Sequence, residues 1–385
     1  MQKILFWLVG FLYCSQGYAQ IIYGANNYTA YHAGNLPIII SVPHGGSIVP
    51  ASITDRTCNS AVTVTDENTI ELAQQIDSAF VKVTGCHPYI VYCNLHRSKL
   101  DCNRNLADGA CGNASAENAW NEFHNFIDTA QANAQSKFGG RAFYIDLHGH
   151  GNPIQRLELG YLLYDNELAF TDSTLNTNQY IGYSSIQNLV ATNANGYSHA
   201  ALLRGDYALG TLLGNAGYAS VPSKQIPFPG TTTNYYSGGY NTANHTSYAL
   251  GNTVNGVQIE CNYTNVRDTY SNRKLFADSL VSVMQQFLNI HHQMNLQNCN
   301  TTALANIKDV NSIIISPNPA TDFIQITAAN NSTYFEIELI DFVGKTICKV
   351  YNQNKLAITQ FRKGIYLVKV TDKQKNVFMD KIIIE

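Results

Sequence analysis

The chain has 385 residues, more than one ordinary domain needs, so two folded units plus processing segments are the starting expectation. Charged residues make up only 13%, the formal net charge is -3, and no Lys/Arg cluster occurs, which excludes nucleic acid and anionic membrane as main partners. Asn, Thr, Tyr, Ser and Gly fill the place of the missing charges, a texture that fits an exported surface protein.

Residues 1–19 read as a signal peptide. Lys3 supplies the positive start, Ile4 to Tyr13 a short apolar run, and Gly17-Tyr18-Ala19 before Gln20 a small-x-small cleavage site. The run is too short to span a bilayer, and no later stretch is apolar for long enough, so no stable membrane insertion is expected. Cys14 falls inside the signal. Cys58, Cys86, Cys93, Cys102, Cys111, Cys261, Cys299 and Cys348 remain, an even set of disulfide candidates whose pairing the sequence does not choose. No C-x-x-C spacing suggests a cysteine-held zinc.

Ile38 to Val42 is a β-branched apolar run and predicts a buried strand that stops at Pro43-His44-Gly45-Gly46. Asp66 to Phe80 has helical spacing, with Thr65 or Asp66 as N-cap. Tyr89 to Tyr92 reads as a strand, Ala116 to Lys137 as a long helix, and Ala142 to Leu147 as a strand ending at His148-Gly149-His150-Gly151. Val257 to Ile259 delivers Glu260, and Leu275 to Met294 is a closing helix. This alternation predicts an α/β fold, a mostly parallel or mixed sheet flanked by helices, with ligands bound where strand ends meet loops. From Ile313 onward, short alternating runs (Ile313 to Ser316, Phe323 to Thr327, Phe335 to Ile340, Thr346 to Tyr351, Gly364 to Val370, Val377 to Ile384) predict a small all-β sandwich. The expected division is 1–19 signal, 20–298 catalytic domain, 299–311 linker and 312–385 β module.

Hydrolysing an amide near neutral pH needs a strong nucleophile and a sink for the charge of the tetrahedral oxyanion, and Zn2+ on three protein ligands plus water supplies both. His44 and His148 each lie at the end of an apolar strand beside glycine, which lets backbone and substrate approach closely. One such histidine is more often structural; two at equivalent strand ends point to zinc. The third ligand is a carboxylate at the mouth of the next helix, Asp66 or Glu67, with helix capping as the plain alternative. The residue three places after His44 is Ser47, so no H-x-x-E pattern supplies it. Glu260, a carboxylate ending an apolar strand, is a costly placement unless paired, liganded or catalytic, and is read as the general base.

Arg97 and Arg104 suit bidentate capture of a substrate carboxylate, the alternative being ion pairs with Asp101 or Asp146. Arg156 is a weaker candidate, with Glu158 as its alternative partner. His150 is read as steadying the oxyanion, or else as facing solvent. The segment Tyr235 to Thr242 reads as a mobile loop whose tyrosines, Tyr240 among them, close over substrate. It lacks the Lys-Ser/Thr of a phosphate cradle, and no G-x-S-x-G elbow marks a serine hydrolase.

Taken in order, Ser41-Val42-Pro43-His44-Gly45-Gly46, Thr65-Asp66-Glu67-Asn68-Thr69, Leu100-Asp101-Cys102-Asn103-Arg104, Asp146-Leu147-His148-Gly149-His150-Gly151 and Val257-Gln258-Ile259-Glu260 resemble the N-formylglutamate amidohydrolase family. That family is similar in fold to the zinc carboxypeptidases. The resemblance spans roughly residues 36 to 290. It implies zinc held by His44, Asp66 and His148, Glu260 as general base, and Asn103-Arg104 as an Asn-Arg pair that binds a substrate carboxylate. Separately, Ser316-Pro317-Asn318-Pro319-Ala320-Thr321-Asp322, the Asp341-Phe342-Val343-Gly344-Lys345 turn and Gly364 to Val370 resemble the C-terminal sorting domain of the type IX secretion system. This implies passage across the outer membrane by the type IX machinery, to the cell surface or beyond.

The expected function is an exported zinc-dependent hydrolase of an amide bond in a small carboxylate-bearing N-acyl amino acid or peptide. A carboxypeptidase or peptidoglycan amidase is the alternative within hydrolases. A non-catalytic surface binding protein is the alternative outside them.

Overall fold

The computed structural model describes residues 21–58, 61–230, 234–296, 313–328, 335–341, 345–372 and 377–385. The predicted signal peptide, the predicted linker and Cys299 lie outside the described residues. The chain divides into two compact units, Met1–Asn300 and Thr301–Glu385.

The first unit is built on eight strands: β1 (Ile21–Tyr23), β2 (Thr29–His32), β3 (Ile38–Val42), β4 (Tyr89–Cys93), β5 (Phe143–His150), β6 (Leu157–Gly160), β7 (Ser220–Val221) and β8 (Asn255–Asn262). They form one sheet in the order β1-β2-β4-β3-β5-β8-β6-β7. The central pairs β4/β3, β3/β5 and β5/β8 are parallel, while β1/β2, β2/β4 and β6/β8 are antiparallel, so the sheet is mixed. The chain leaves β3 for β4 on one side and later returns for β5 on the other. That reversal opens a crevice at the carboxyl ends of β3 and β5.

Three long helices cover the sheet: α1 (Thr69–Thr84), α2 (Ala114–Lys137) and α3 (Tyr270–His292). Leu72, Ala73, Ile76, Ala79 and Phe80 form the apolar stripe of α1, which packs with α3 on the face carrying Ile38, Ile40, Ile145, Leu147 and Ile259. The opposite face, with Ile39, Val91 and Tyr144, is covered by Ala119, Phe123 and Ile127 of α2. The Asn113 side chain caps α2 by accepting from the Ser115 and Ala116 amides.

The first helix starts at Thr69 rather than Asp66, because Asn68 turns the chain through a left-handed φ of 63°. Asp66 is therefore no cap; its carboxylate is released for the site. Both site strands run past their predicted ends, which sets His148 and Glu260 inside β5 and β8. Between β6 and β7 the chain folds into short helices over Asp165–Leu168, Asp172–Leu175, Asn178–Tyr183, Gln187–Thr192, His199–Arg204 and Leu209–Asn215. Each is too short to leave a sustained period in the sequence.

The second unit has two antiparallel sheets. One pairs Lys355–Ala357, Phe323–Ala328 and Ile313–Ser316; the other pairs Thr346–Tyr351, Phe335–Ile340, Gly364–Asp372 and Val377–Ile384. Ile324, Ile326, Ile337, Leu339, Val368, Val370 and Ile382 fill its core. Among the described residues, no helix of the chain is long and apolar enough to cross a membrane.

Not all of the disulfide candidates are paired. Cys58 and Cys111 form a disulfide, and Cys86 is bonded as well. Cys93, Cys102, Cys261 and Cys348 are free thiols. The first three are fully buried in the sheet's two cores, where a thiol packs as a small apolar side chain.

Burial and the neighbouring His245 imidazole lower His124 to about 3, and burial with His291 and Arg141 lowers His292 to about 4. Unfolding returns both to about 6.5, so the unfolded chain binds more protons below that pH and stability falls as pH drops toward 4. Urea unfolding followed by fluorescence of Trp120, whose ring lies 3.9 Å from that of His124, should show the midpoint falling over this window. A flat midpoint would contradict it.

Candidate metal centre and active site

Side-chain alternation along three neighbouring strands builds the site. Phe143, Ile145 and Leu147 of β5 point into the core under α1 and α3, so Tyr144, Asp146 and His148 emerge on the other face. In β8, Val257, Ile259 and Cys261 turn inward and Gln258 and Glu260 emerge beside them. The parallel register sets Ser41 against Asp146, Asp146 against Gln258, and His148 against Glu260. His44 stands two residues past β3. Gly46 then lets the chain pass against the backbone of Asn94, where a Cβ would sit 2.3 Å from the Asn94 carbonyl carbon.

His44, Asp66 and His148 converge. Their ligand atoms lie within 4.8 Å of one another and all three residues are buried. Asp66 Oδ2 is 3.3 Å from His44 Nδ1 and 3.2 Å from His148 Nδ1, and it accepts the Gly149 amide at 3.1 Å. Each imidazole is held from behind by a buried carboxylate: His44 Nε2 lies 2.7 Å from Asp101 Oδ1 and His148 Nε2 lies 2.8 Å from Asp146 Oδ2. Those carboxylates are fixed in turn. Asp101 receives Arg97 Nε at 3.0 Å and the Asn103 amide at 3.0 Å, while Asp146 receives Ser41 Oγ at 2.5 Å and Asn241 Nδ2 at 3.2 Å.

This donor set fits a tetrahedral zinc. Bonds of about 2.0–2.1 Å place neighbouring ligand atoms roughly 3.3 Å apart. The Asp66 oxygen stands at that separation from both Nδ1 atoms. With each Nε2 proton committed to a carboxylate, the Nδ1 atoms are the ones free to ligate, an arrangement that orients metal-bound histidines generally. Burial alone would raise the Asp66 carboxyl, but His44 and His148 outweigh it and hold it well below the usual carboxylate range. Burial likewise opposes charge on His148, yet Asp146, Asp66 and Glu260 raise it well above its ordinary value.

Glu260 lies beside this cluster, its Oε1 3.9 Å from His148 Nδ1. Burial pushes its carboxyl up to about 7, and the nearby Asp66 and Glu158 add to the rise against the two histidines. A cavity of about 500 Å³ opens here, lined in part by His44, Asp66, His148 and Glu260.

The other expected site residues are distributed as follows. Arg97, Asn103, Arg104 and Tyr240 line the cavity. Arg97 spends its Nε on Asp101, one of the ion pairs weighed from sequence, with its Nη1 3.7 Å from Asp66 Oδ1. Arg104 is exposed, and its guanidinium has no ion pair or hydrogen bond among the described residues. Asn103 approaches His148 Nε2 at 3.4 Å and accepts the Asn241 amide at 2.8 Å. The Tyr240 ring lies 5.9 Å from Trp120 and 5.6 Å from His124. Glu67 is exposed and outside the cluster, leaving Asp66 as the carboxylate between the histidines.

His150 is not brought to the cavity. It is buried, with Nε2 donating to the Arg156 carbonyl at 2.8 Å and Nδ1 accepting the Asn152 amide at 3.1 Å, so both ring nitrogens serve the turn. Arg156 approaches Glu158 at 3.5 Å, the pairing weighed from sequence, and is not among the residues that line the cavity. The segment read as a mobile loop is tied down: Tyr235 donates to Leu159 O at 2.6 Å, the Tyr236 amide to Glu158 Oε2 at 3.0 Å, and the Leu162 amide to Ser237 O at 2.6 Å.

The roles of Asp101, Asp146 and Gln258 were missed from sequence. Asp146-x-His148 and Gln258-x-Glu260 carried a signal, since residues two apart on a strand share a face. Asp101, on a loop, carried none.

With this geometry in hand, the comparisons with known proteins add the following. Residues 315–385 match the secretion system C-terminal sorting domain, which indicates secretion or attachment at the cell surface. No curated protein matches the chain in sequence. Among solved structures the chain is similar to the succinylglutamate desuccinylase from Chromobacterium violaceum, at 10% identity and a TM-score of 0.32, over 80% of this chain and 85% of that one. A likeness that distant says nothing of this chain's chemistry.

Replacing Gly46 by alanine drives a methyl group into backbone atoms that cannot yield as a side chain would. The variant should lose about 2 kcal/mol or more in urea unfolding, an overpacking cost at the upper part of the usual range. Unaltered stability would mean that the Gly46 and Asn94 backbones do not meet.

Proposed function

We propose that the first unit is a zinc-dependent hydrolase that cleaves an amide bond in a small carboxylate-bearing N-acyl amino acid or peptide, and that the chain is exported by an N-terminal signal and its sorting domain. One observation carries this reading: a single Asp66 oxygen stands 3.3 Å from His44 Nδ1 and 3.2 Å from His148 Nδ1, with buried carboxylates behind both rings. Zinc bound there supplies a Lewis acid for the amide carbonyl and lowers the pKa of water into the neutral range.

The protein's own groups do the rest. Glu260, held near neutrality by burial, takes a proton from the attacking water as the new C–O bond forms. When the C–N bond breaks, it hands that proton to the departing nitrogen, so the products are a carboxylate and an amine. Asp101 and Asp146 keep the imidazoles from turning. Arg104, the uncommitted guanidinium at the cavity, is the group offered to a substrate carboxylate, with Asn103 beside it. The N-formylglutamate amidohydrolase resemblance names the same residues. Formylglutamate itself is a poor candidate substrate, since an exported enzyme does not meet a cytoplasmic degradation intermediate.

Purified mature protein should carry one zinc per chain, lose activity on N-acyl amino acids or muropeptides with a chelator, and regain it with zinc. A surface binding protein without metal would be indifferent to the chelator. His148→Ala should abolish the stoichiometric metal. Glu260→Gln should retain it while turnover falls by about 10² to 10⁴-fold; unchanged turnover removes Glu260 from the mechanism.

Arg104→Lys should raise KM about tenfold for carboxylate-bearing substrates, because an ammonium cannot reproduce the bidentate fork. An equal rise for neutral amides would mean that Arg104 reads no carboxylate.

A further inference from the structure

Gln258 stands two residues before Glu260 on β8, so both side chains leave the same face of the sheet, and both line the cavity. Gln258 is buried, and its Nε2 donates to Glu260 Oε1 at 2.9 Å. That oxygen is also the one 3.9 Å from His148 Nδ1. At its other end the Gln258 amide is unsupported: its Oε1 is buried without a hydrogen-bond partner among the described residues.

A buried carbonyl without a donor is a cost that native proteins rarely keep without return. A side chain placed only to fill space at this position could be apolar, as its neighbours Val257 and Ile259 are. Among the described residues, the one polar contact that the Gln258 side chain makes is to the proposed base. In the ionised form that acts as a base Glu260 can only accept, so the amide turns its NH₂ toward it and leaves its own carbonyl without a donor.

We infer that Gln258 is a positioning residue for the proposed hydrolysis: it locks the Glu260 carboxylate against rotation, with Oε1 fixed toward the His44, Asp66 and His148 cluster. The inference rests on the function proposed above for Glu260. Among the described residues the Gln258 side chain hydrogen-bonds to Glu260 and to none of the proposed metal ligands, so it acts through Glu260. A freely rotating carboxylate would spend much of its time out of line with the attacking water, so the loss should fall on turnover and not on substrate binding.

A double-mutant cycle on the zinc-loaded full chain tests this, with Gln258→Met as the volume-conserving variant that lacks the donor and Gln258→Asn as a polar variant too short to reach. Either change should lower kcat about tenfold to a hundredfold, the range for losing a hydrogen bond to a charged group, with KM and zinc content as in the wild type. In the Glu260→Gln background the same substitutions should produce no further loss. Independent losses that multiply in the double variant would overturn the inference, as would a change confined to KM, or full kcat in both Gln258 variants. A wild-type protein that holds zinc and hydrolyses no amide would instead refute the function, a result distinct from each of these.

Discussion

Two imidazoles, the carboxylates of Asp66, Asp101 and Asp146, and the Arg97 guanidinium lie together around Asp66. Removing such charges from water costs several kcal/mol apiece unless they are paired and hydrogen-bonded. Every one of them is: Asp101 and Asp146 behind the rings, Arg97 and Ser41 behind those carboxylates, and Asp66 between the two Nδ1 atoms. What the arrangement leaves together is one Asp66 oxygen and two imidazole nitrogens, a donor set that suits a divalent cation. The rest of the first unit can be read as the scaffold for that set.

The scaffold works because parallel strands deliver side chains to one edge in register. His148 and Glu260 are cross-strand partners, and Ser41, Asp146 and Gln258 form the row beneath them. A slip of one residue in β5 would send His148 into the apolar core and bring Leu147 to the cavity. Packing of Ile145 and Leu147 under α1 and α3 therefore fixes the chemistry as well as the fold. The tilted rings of Trp120 and His124 pack beside Tyr240, which lines the cavity.

Much of this was legible in the amino-acid order. The apolar run Ile38 to Val42 with its abrupt stop, the Asp146 to Gly151 sequence and the lone acid after Val257-Gln258-Ile259 each announced a strand edge carrying a polar group. The small β module was readable from its short alternating runs. What could not be read depends on long-range contacts. Nothing near Asp101 says that it lies behind His44, because a loop has no period. For Asp66, read as a ligand with helix capping as the alternative, the cap is removed only by the helix starting at Thr69 after the left-handed Asn68. His150 shares Gly149 with His148 as a neighbour, and only the Arg156 carbonyl and the Asn152 amide show that its ring serves the turn. The four free thiols reflect local packing, which an even cysteine count cannot foresee.

Anomalous diffraction at the zinc absorption edge, from crystals of the mature protein grown with zinc, addresses the cation directly. A single strong peak bonded to His44 Nδ1, His148 Nδ1 and an Asp66 oxygen, with Asp101 and Asp146 still on the two Nε2 atoms, is the expected result. A map with no peak among those three side chains, or with the metal held elsewhere, would contradict it.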